Sequence, residues 1–479
     1  MNSSKNEIPI LIGSLLITGG VLAGGYWWFS NQNKSSNNVS SNNSSSPPGN
    51  STNTNQGSPG TLSAGDKNIG GAEGQSSSEF LQAKNAGVAA LGNKNYDQAT
   101  TEFEKALKAT PNAPETHIYA NNAKIGDGKA LMIGVAVPMK SDTSGALEML
   151  RGVAQAQAEI NKAGGINGTP LKVMIADDAD EAKTAANVAE SFGKDDKILG
   201  VVGHLSSDSS IAAAEVYKKS QLVNISPVSS SVKLSGFSKY AFRTIPSDAV
   251  AAKALSDYAL NVIKRKKAIV FFNGDSGYSK SLKSEFVTDM GLGGGTVVQE
   301  VDMNATDFNA STALTQATTL GADVIMLAAN TGTLPKAMQV ADINNKKLPL
   351  LGGDDVYSPK TLELGKARAE GLVVAVPWHI DGDPKALFAT SSRQFWKAEV
   401  NWRTALSYDA VQALAAALKT NPTRAGVQTA LANPTFQTTG SSGNVKFQPS
   451  GDRNANIQLV KVVPGNKSKL GFDFVPVKK

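Results

Sequence analysis

Residues Leu131 to Ala176 read LMIGVAVPMKSDTSGALEMLRGVAQAQAEINKAGGINGTPLKVMIA, and the architecture of the chain follows from them. Leu131 to Val137 is an apolar run of strand length. Ser144 to about Ala163 is expected to be a helix stopped by Gly164-Gly165, and Leu171 to Ala176 is the next strand. A strand, a helix and a strand in this order predict a parallel pair joined by a crossover.

The alternation continues toward the C-terminus. A helix runs from Asp180, as its cap, to Phe192; Ile198 to Val202 is a strand, Ser207 to Ser220 a helix and Leu222 to Ile225 a strand. After Pro246 it restarts. Helices at Asp248 to Ile263, Ser279 to Met290, Ala310 to Leu320 and Leu334 to Ile343 alternate with strands at Ala268 to Phe272, Val297 to Val301, Val324 to Ala328 and Leu348 to Leu351. Alternation of this kind predicts parallel sheets covered on both faces. Two successive sheets predict two lobes, and a ligand would sit between them, beyond the carboxyl ends of the strands.

Toward the N-terminus the character of the chain changes. Glu79 to Ile125 reads as helical, with Ala99, Phe103, Ala106 and Leu107 at helical spacing. Gly92 to Ala99 with Phe103 to Leu107 and Pro111 resembles a tetratricopeptide repeat. About one and a half repeats fit, where three or more usually make a solenoid. The segment 79–126 is therefore expected to be a helical hairpin that spaces or docks the main domain, or else a protein-interaction module. From Ser30 to about Ser78 the chain is mostly Ser, Asn, Gly and Pro and is expected to be a disordered linker over 31–78. Ile8 to Phe29 is uncharged and 22 residues long, enough to span ~30 Å of hydrocarbon, with Tyr26-Trp27-Trp28 at interfacial depth. Residues 1–30 are expected to be an uncleaved membrane anchor, with a signal cleaved near Ala23 as the alternative.

The 479 residues carry a net charge of +6, 41% hydrophobic residues and no cysteine. Disulfides, thiolate metal sites and a lipid attached to cysteine are excluded. The one basic cluster, Lys264 to Lys267, falls where a helix should end, which suits the helix dipole. No basic stripe points to nucleic acid.

Several motifs then occur in a telling order: GVAQAQAEINKAGGINGTPL (Gly152–Leu171) with Asp177-Asp178, VVGHLSSDSS (Val201–Ser210), ISPVSSS (Ile225–Ser231), FRTIPSD (Phe242–Asp248), the Tyr278 segment and LLGGDDVYSP (Leu350–Pro359). From Lys129 to Lys479 the chain resembles the leucine/isoleucine/valine-binding protein family, of the type I periplasmic binding fold. The resemblance implies two doubly wound parallel sheets joined by a hinge of three crossings, near Thr244–Ser247, Val374–Pro377 and Phe447–Gly451. Lobe one would take 129–245 and 378–446, lobe two 246–376 and 450–479. It also implies extracytoplasmic capture of an amino-acid-like ligand for an ABC importer and its permease, without catalysis or cofactor. A membrane-anchored sensor is the alternative. So is an interaction protein regulating cell-wall synthesis, since some activators of cell-wall synthases combine tetratricopeptide helices with this fold.

An amino acid needs hydroxyl and N–H donors for its carboxylate and an acid for its ammonium. Ser207, opening a helix after a strand, suits the carboxylate or serves as a cap. The resemblance assigns Ser207 and Ser230 to contacts with the ligand's charged groups and Val228 to a contact through its carbonyl. It assigns Asp354 to the ammonium, with Asp355 as rival one residue on, and Tyr278 to coverage from lobe two. Asn330 stands where a tyrosine is usual and Gly145 where a large aromatic is usual. Both depart from leucine-type specificity toward a larger or more polar ligand.

Three other signals are read as structural. Gly274-Asp275-Ser276-Gly277 looks like a protease nucleophile segment but lacks a paired histidine and acid. Gly291 to Gly295 precedes a strand, so it is a turn and not a dinucleotide loop. His204 is expected to hydrogen-bond locally at the cleft rim, and Trp396 and Trp402 to serve packing or surface.

Overall fold

The computed structural model describes residues 58–477, apart from 72, 74–76 and 384. The expected anchor, Ile8 to Phe29, and most of the expected linker lie outside the described residues. Among the described residues no helix is long and apolar enough to cross a membrane.

The linker ends earlier than its composition suggests. Strand β1 (Leu62–Ser63) pairs antiparallel with β3, setting Leu62 opposite Ala176 and Ser63 opposite Ile175. Ile69 is buried. Glu73 and Glu115 hold Lys84 Nζ at 2.8 and 2.5 Å, and all three side chains are essentially inaccessible. Glu115 also accepts from the Ile69 amide at 2.6 Å, and Glu73 from the Glu115 amide at 2.8 Å. A buried charge cluster persists only when its hydrogen bonds are complete. Pairings of that kind leave no trace in a Ser/Gly-rich composition.

The helical segment holds three helices, Ser78–Gly92, Tyr96–Ala109 and Pro114–Ile125, where a hairpin was expected. The third docks on the main domain. Asn122 donates to the Val173 carbonyl at 2.7 Å and accepts from Gln157 at 2.9 Å. The His117 ring lies 5.0 and 5.2 Å from those of Phe395 and Trp396.

Lobe one is a six-stranded sheet ordered β1-β3-β2-β4-β5-β6. Its strands are β2 (Leu131–Val137), β3 (Leu171–Asp177), β4 (Ile198–Val202), β5 (Asn224–Ser226) and β6 (Ala241–Arg243), after the edge strand β1. Strands β2 and β3 run parallel in register from Leu131↔Leu171 to Val137↔Asp177. Helix Thr143–Lys162 is their crossover, and helix Trp402–Thr420 packs along it, Thr404 donating to the Glu148 carbonyl at 2.9 Å. The next helix begins at Ala182 after an uncapped Glu181, so Asp180 is not its cap.

Lobe two is a seven-stranded sheet ordered β15-β14-β11-β10-β9-β7-β8. Its parallel part comprises β7 (Lys267–Phe272), β8 (Thr296–Asp302), β9 (Val324–Ala328), β10 (Leu350–Gly352) and β11 (Val373–Val376). The central β9, VIMLA, is buried at every position, as a strand covered on both faces must be. A hairpin, β12 (Thr438–Gly440) with β13 (Gly443–Val445), is separate. The expectation of purely parallel sheets fails at the edges. Strand β14 (Gln458–Pro464) runs antiparallel to β11 and to β15 (Phe472–Pro476). The short link from β14 to β15 permits only an antiparallel return.

The chain passes between the sheets after β6, after β11 and before β14. At the hinge Arg243 Nε meets Asp452 Oδ1 at 2.7 Å, and the Arg243 amide donates to the Gly451 carbonyl at 3.0 Å. Gly451 has φ +82°, and a Cβ there would come within 2.2 Å of the Ala241 carbonyl, so only glycine fits.

Candidate functional site

Loops at the carboxyl ends of strands from both lobes converge on one cavity of about 400 Å³. Lobe one contributes Ser141 and Asp142 after β2, Asp180 after β3, Leu205 to Ser207 after β4 and Val228 after β5. Lobe two contributes Ser276 and Tyr278 after β7, Asn330 to Gly332 after β9, and Asp354, Asp355 and Lys360 after β10. A second cavity of about 460 Å³ shares Ser141, Asp142, Thr331, Asp355 and Lys360 with the first and extends past Gly145 to Arg403. The lobes touch across the opening. Asp208 accepts from the Gly277 amide at 2.8 Å, Ser281 from the Val232 amide at 3.1 Å, and Arg403 Nη2 meets Asp355 Oδ1 at 2.5 Å. A smaller cavity of about 220 Å³, among Tyr357, Leu362, His379, Ile380, Val400 and Phe474, holds none of the expected residues.

Five of the six expected residues line the main cavity: Ser207, Val228, Tyr278, Asn330 and Asp354. Ser206, not Ser207, caps helix Ser207–Ser220, its hydroxyl accepting from the Ser209 amide. Ser207 Oγ accepts from the Ser231 amide at 3.3 Å, and its own hydrogen remains free to donate. No described residue donates to the Val228 carbonyl. The Tyr278 hydroxyl donates to Asp354 Oδ1 at 2.5 Å, so these two residues of lobe two form one unit. Asn330 closes a capping box with Thr333 and also accepts from Asn273 at 3.1 Å, which fixes its orientation.

Ser230 is not on the cavity wall. It is buried beside the Asp248 carboxyl, its hydroxyl meets no hydrogen-bond criterion with any described residue, and its carbonyl accepts from the Asp248 amide at 2.8 Å. Sequence offered three adjacent serines, Ser229 to Ser231, and all three are buried. His204 also moves inward from its expected place at the rim. It is fully buried in lobe one, with Nδ1 2.6 Å from Asp178 and Nε2 3.1 Å from the Tyr217 hydroxyl. Trp396 and Trp402 are both core residues.

The electrostatics of the cleft are dominated by carboxylates. Burial pushes the Asp354 carboxyl up to about 8, the adjacent Asp355 adding to the rise and the Tyr278 hydroxyl opposing it. Burial also raises Asp355, against the nearby Arg403 guanidinium. Asp142 and Asp180 are wall residues that sequence reasoning did not single out as ligands. The available signal was their place in loops that follow the first two strands of the sheet.

A family model described as periplasmic binding protein matches residues 130–468. Among curated proteins, a Leu/Ile/Val-binding protein homolog of Brucella melitensis is 25% identical over 66% of this chain and 90% of its own length. A leucine-specific-binding protein of Salmonella typhimurium is 26% identical over 56% of this chain and 72% of its own. An amino acid binding protein of Pseudomonas aeruginosa is 39% identical over 30% of this chain, and the match spans only 40% of that relative. Among solved structures, an ABC transporter substrate-binding protein of Desulfitobacterium hafniense in complex with Leu aligns at TM-score 0.62 and 25% identity, over 72% of this chain and all of its own. A leucine-binding protein of Thermotoga maritima, at TM-score 0.64 and 21% identity over 72% of this chain and 98% of its own, supports the fold alone.

Proposed function

The chain belongs to the periplasmic binding protein family, and on that premise we propose that it captures an amino-acid-like ligand between its lobes outside the cytoplasm and delivers it to an ABC permease. The observation that carries this reading is the Asp354–Tyr278 pair of lobe two facing the Ser207 hydroxyl and the free Val228 carbonyl of lobe one in one cavity. The Ser207 hydroxyl and the helix start behind it supply donors for a carboxylate. The Asp354 carboxylate and the Val228 carbonyl supply acceptors for an ammonium. Binding uses groups from both lobes and so favours the closed arrangement, which the permease would distinguish from the open one. The uncharged segment Ile8 to Phe29 would hold the protein at the membrane and 31–57 would be its tether.

The test is a thermal-shift panel on the purified chain with L-leucine, L-isoleucine, L-valine, L-lysine, L-arginine, urea and acetamide. At a hundred times its dissociation constant a true ligand adds ~2.7 kcal/mol of stability. A panel without any stabilising compound would overturn the reading.

A further inference from the structure

The cleft is acidic although the chain is basic. Overall the protein carries +6, yet the main cavity presents Asp142, Asp180, Asp354 and Asp355 against a single exposed lysine, Lys360. Asp355 is matched by Arg403. The other three have no ion-pair partner among the described residues. Asp142 accepts only the Gly145 amide at 3.0 Å, the Asp180 carboxylate accepts the Ser209 hydroxyl at 3.3 Å while its amide donates to Asp178 Oδ1 at 3.0 Å, and Asp354 accepts the Tyr278 hydroxyl through Oδ1 alone. Asp354 is 6% exposed and lines the cavity, and no described residue donates to its second oxygen.

A second observation is independent of charge. A Cβ on Gly145 would come within 2.6 Å of Asp142 Oδ2 and 2.6 Å of Leu205 Cδ1. The carboxylate of Asp142 therefore occupies the volume that any side chain at position 145 would need. Apolar wall is correspondingly scarce, being limited in the main cavity to Leu205, Val228 and the Tyr278 ring. An aliphatic side chain placed here would desolvate carboxylates and give them nothing in return. A cation would meet them with charge-assisted hydrogen bonds.

We infer that the ligand of this cleft is doubly cationic at its nitrogen groups: an amino acid whose α-ammonium meets Asp354 and whose side chain ends in a second ammonium or guanidinium held by Asp142 and Asp180. The inference rests on the amino-acid-binding reading above and names its substrate class. The contiguous second cavity gives a long side chain room, and Glu363 on its wall adds a further carboxylate.

The experiment is calorimetric titration of the full chain in detergent with L-arginine against L-citrulline, L-lysine against L-norleucine, and L-leucine. Citrulline and norleucine keep the length of their partners and lack the distal charge. Arginine or lysine should bind at least about tenfold tighter than its neutral counterpart, and the difference should shrink as salt is raised. Asp142→Asn, which keeps a capping side chain at the helix start, should reduce that ratio; Asp180→Asn serves the same purpose should the first variant not fold. Tighter binding of leucine or norleucine, or an unchanged ratio in a folded variant, overturns this inference and leaves amino-acid capture standing. Absence of binding by every amino acid overturns both.

Discussion

Replacing Asp354 with asparagine keeps the shape of the side chain and removes its charge. Burial pushes its carboxyl up to about 8, so at pH 7 the carboxylate that an ammonium needs is the minor form. Ligand binding must then draw a proton off. The apparent affinity of the wild type for an amino acid should rise by close to tenfold per pH unit below about pH 8 and level off above it. At the plateau the variant loses one charge-assisted contact, worth about 1.5–3 kcal/mol, or roughly 10–150-fold in Kd. Below about pH 8 that gap should narrow progressively, because the wild type becomes neutral at the same position. Burial pushes Asp248 and the cleft residue Asp180 up to about 6, at the lower edge of this window, and raises Asp355 as well, while the Tyr278 hydroxyl is raised well above it. Calorimetric titration of both proteins from about pH 6 to pH 8.5 reads the slope directly. The unliganded proteins give a second readout of opposite sense. A carboxyl whose folded value lies above its unfolded value of 3.8 destabilises the fold progressively as pH rises through that interval. Asp354→Asn should therefore raise Tm relative to wild type near pH 8 and leave it nearly unchanged near pH 4. A wild-type affinity that is flat across the range, or a slope that persists in the variant, would show that the ammonium is held elsewhere.

Other perturbations have equally definite outcomes. Arg403→Ala removes the ion pair that joins the lobes, whose side chains are 7% and 15% exposed; it should cost the closed form about 1–3 kcal/mol, seen as a larger radius of gyration in solution scattering and a weaker Kd. Lys84→Met leaves Glu73 and Glu115 buried without a cation and should destabilise the protein by about 3–5 kcal/mol in calorimetry; an unchanged stability would refute the buried cluster. Gly451→Ala combines a positive φ with a contact at 2.2 Å and should lower stability by at least about 1 kcal/mol, read as a drop in Tm. Gly145→Phe must displace the Asp142 carboxylate and should weaken arginine or lysine more than leucine, measured as the ratio of their dissociation constants.

The alternating core was legible because a strand buried on both faces has a distinctive run of residues. LMIGVAV and VIMLA could hardly be anything else, and β2, β4 and β9 begin and end where their apolar runs do. Edge strands were not legible. Leu62–Ser63 has no hydrophobic pattern and is a strand only because the free edge of β3 receives it, and the reversal of β14 is set by its neighbours. The site divided along similar lines. Ser207, Tyr278 and Asp354 stand at the junctions of strand and helix, where sequence fixes position to within a residue. Ser230 lies mid-loop, and whether its hydroxyl points to the cavity depends on dihedrals that no local pattern encodes. Asp142 is the cap of helix Thr143–Lys162; its place on the cleft wall becomes visible only once the opposite lobe is in position.

The short strand β1 has a mechanical consequence. The Gly60 amide donates to the Asp177 carbonyl at 2.7 Å, at the cleft end of β3. The described chain thus begins on lobe one, and a pull on residue 58 would enter through that lobe's sheet. No described part of the N-terminal segment is strand-paired with lobe two. A load applied there would reach lobe two only through lobe one and the crossings between the two sheets.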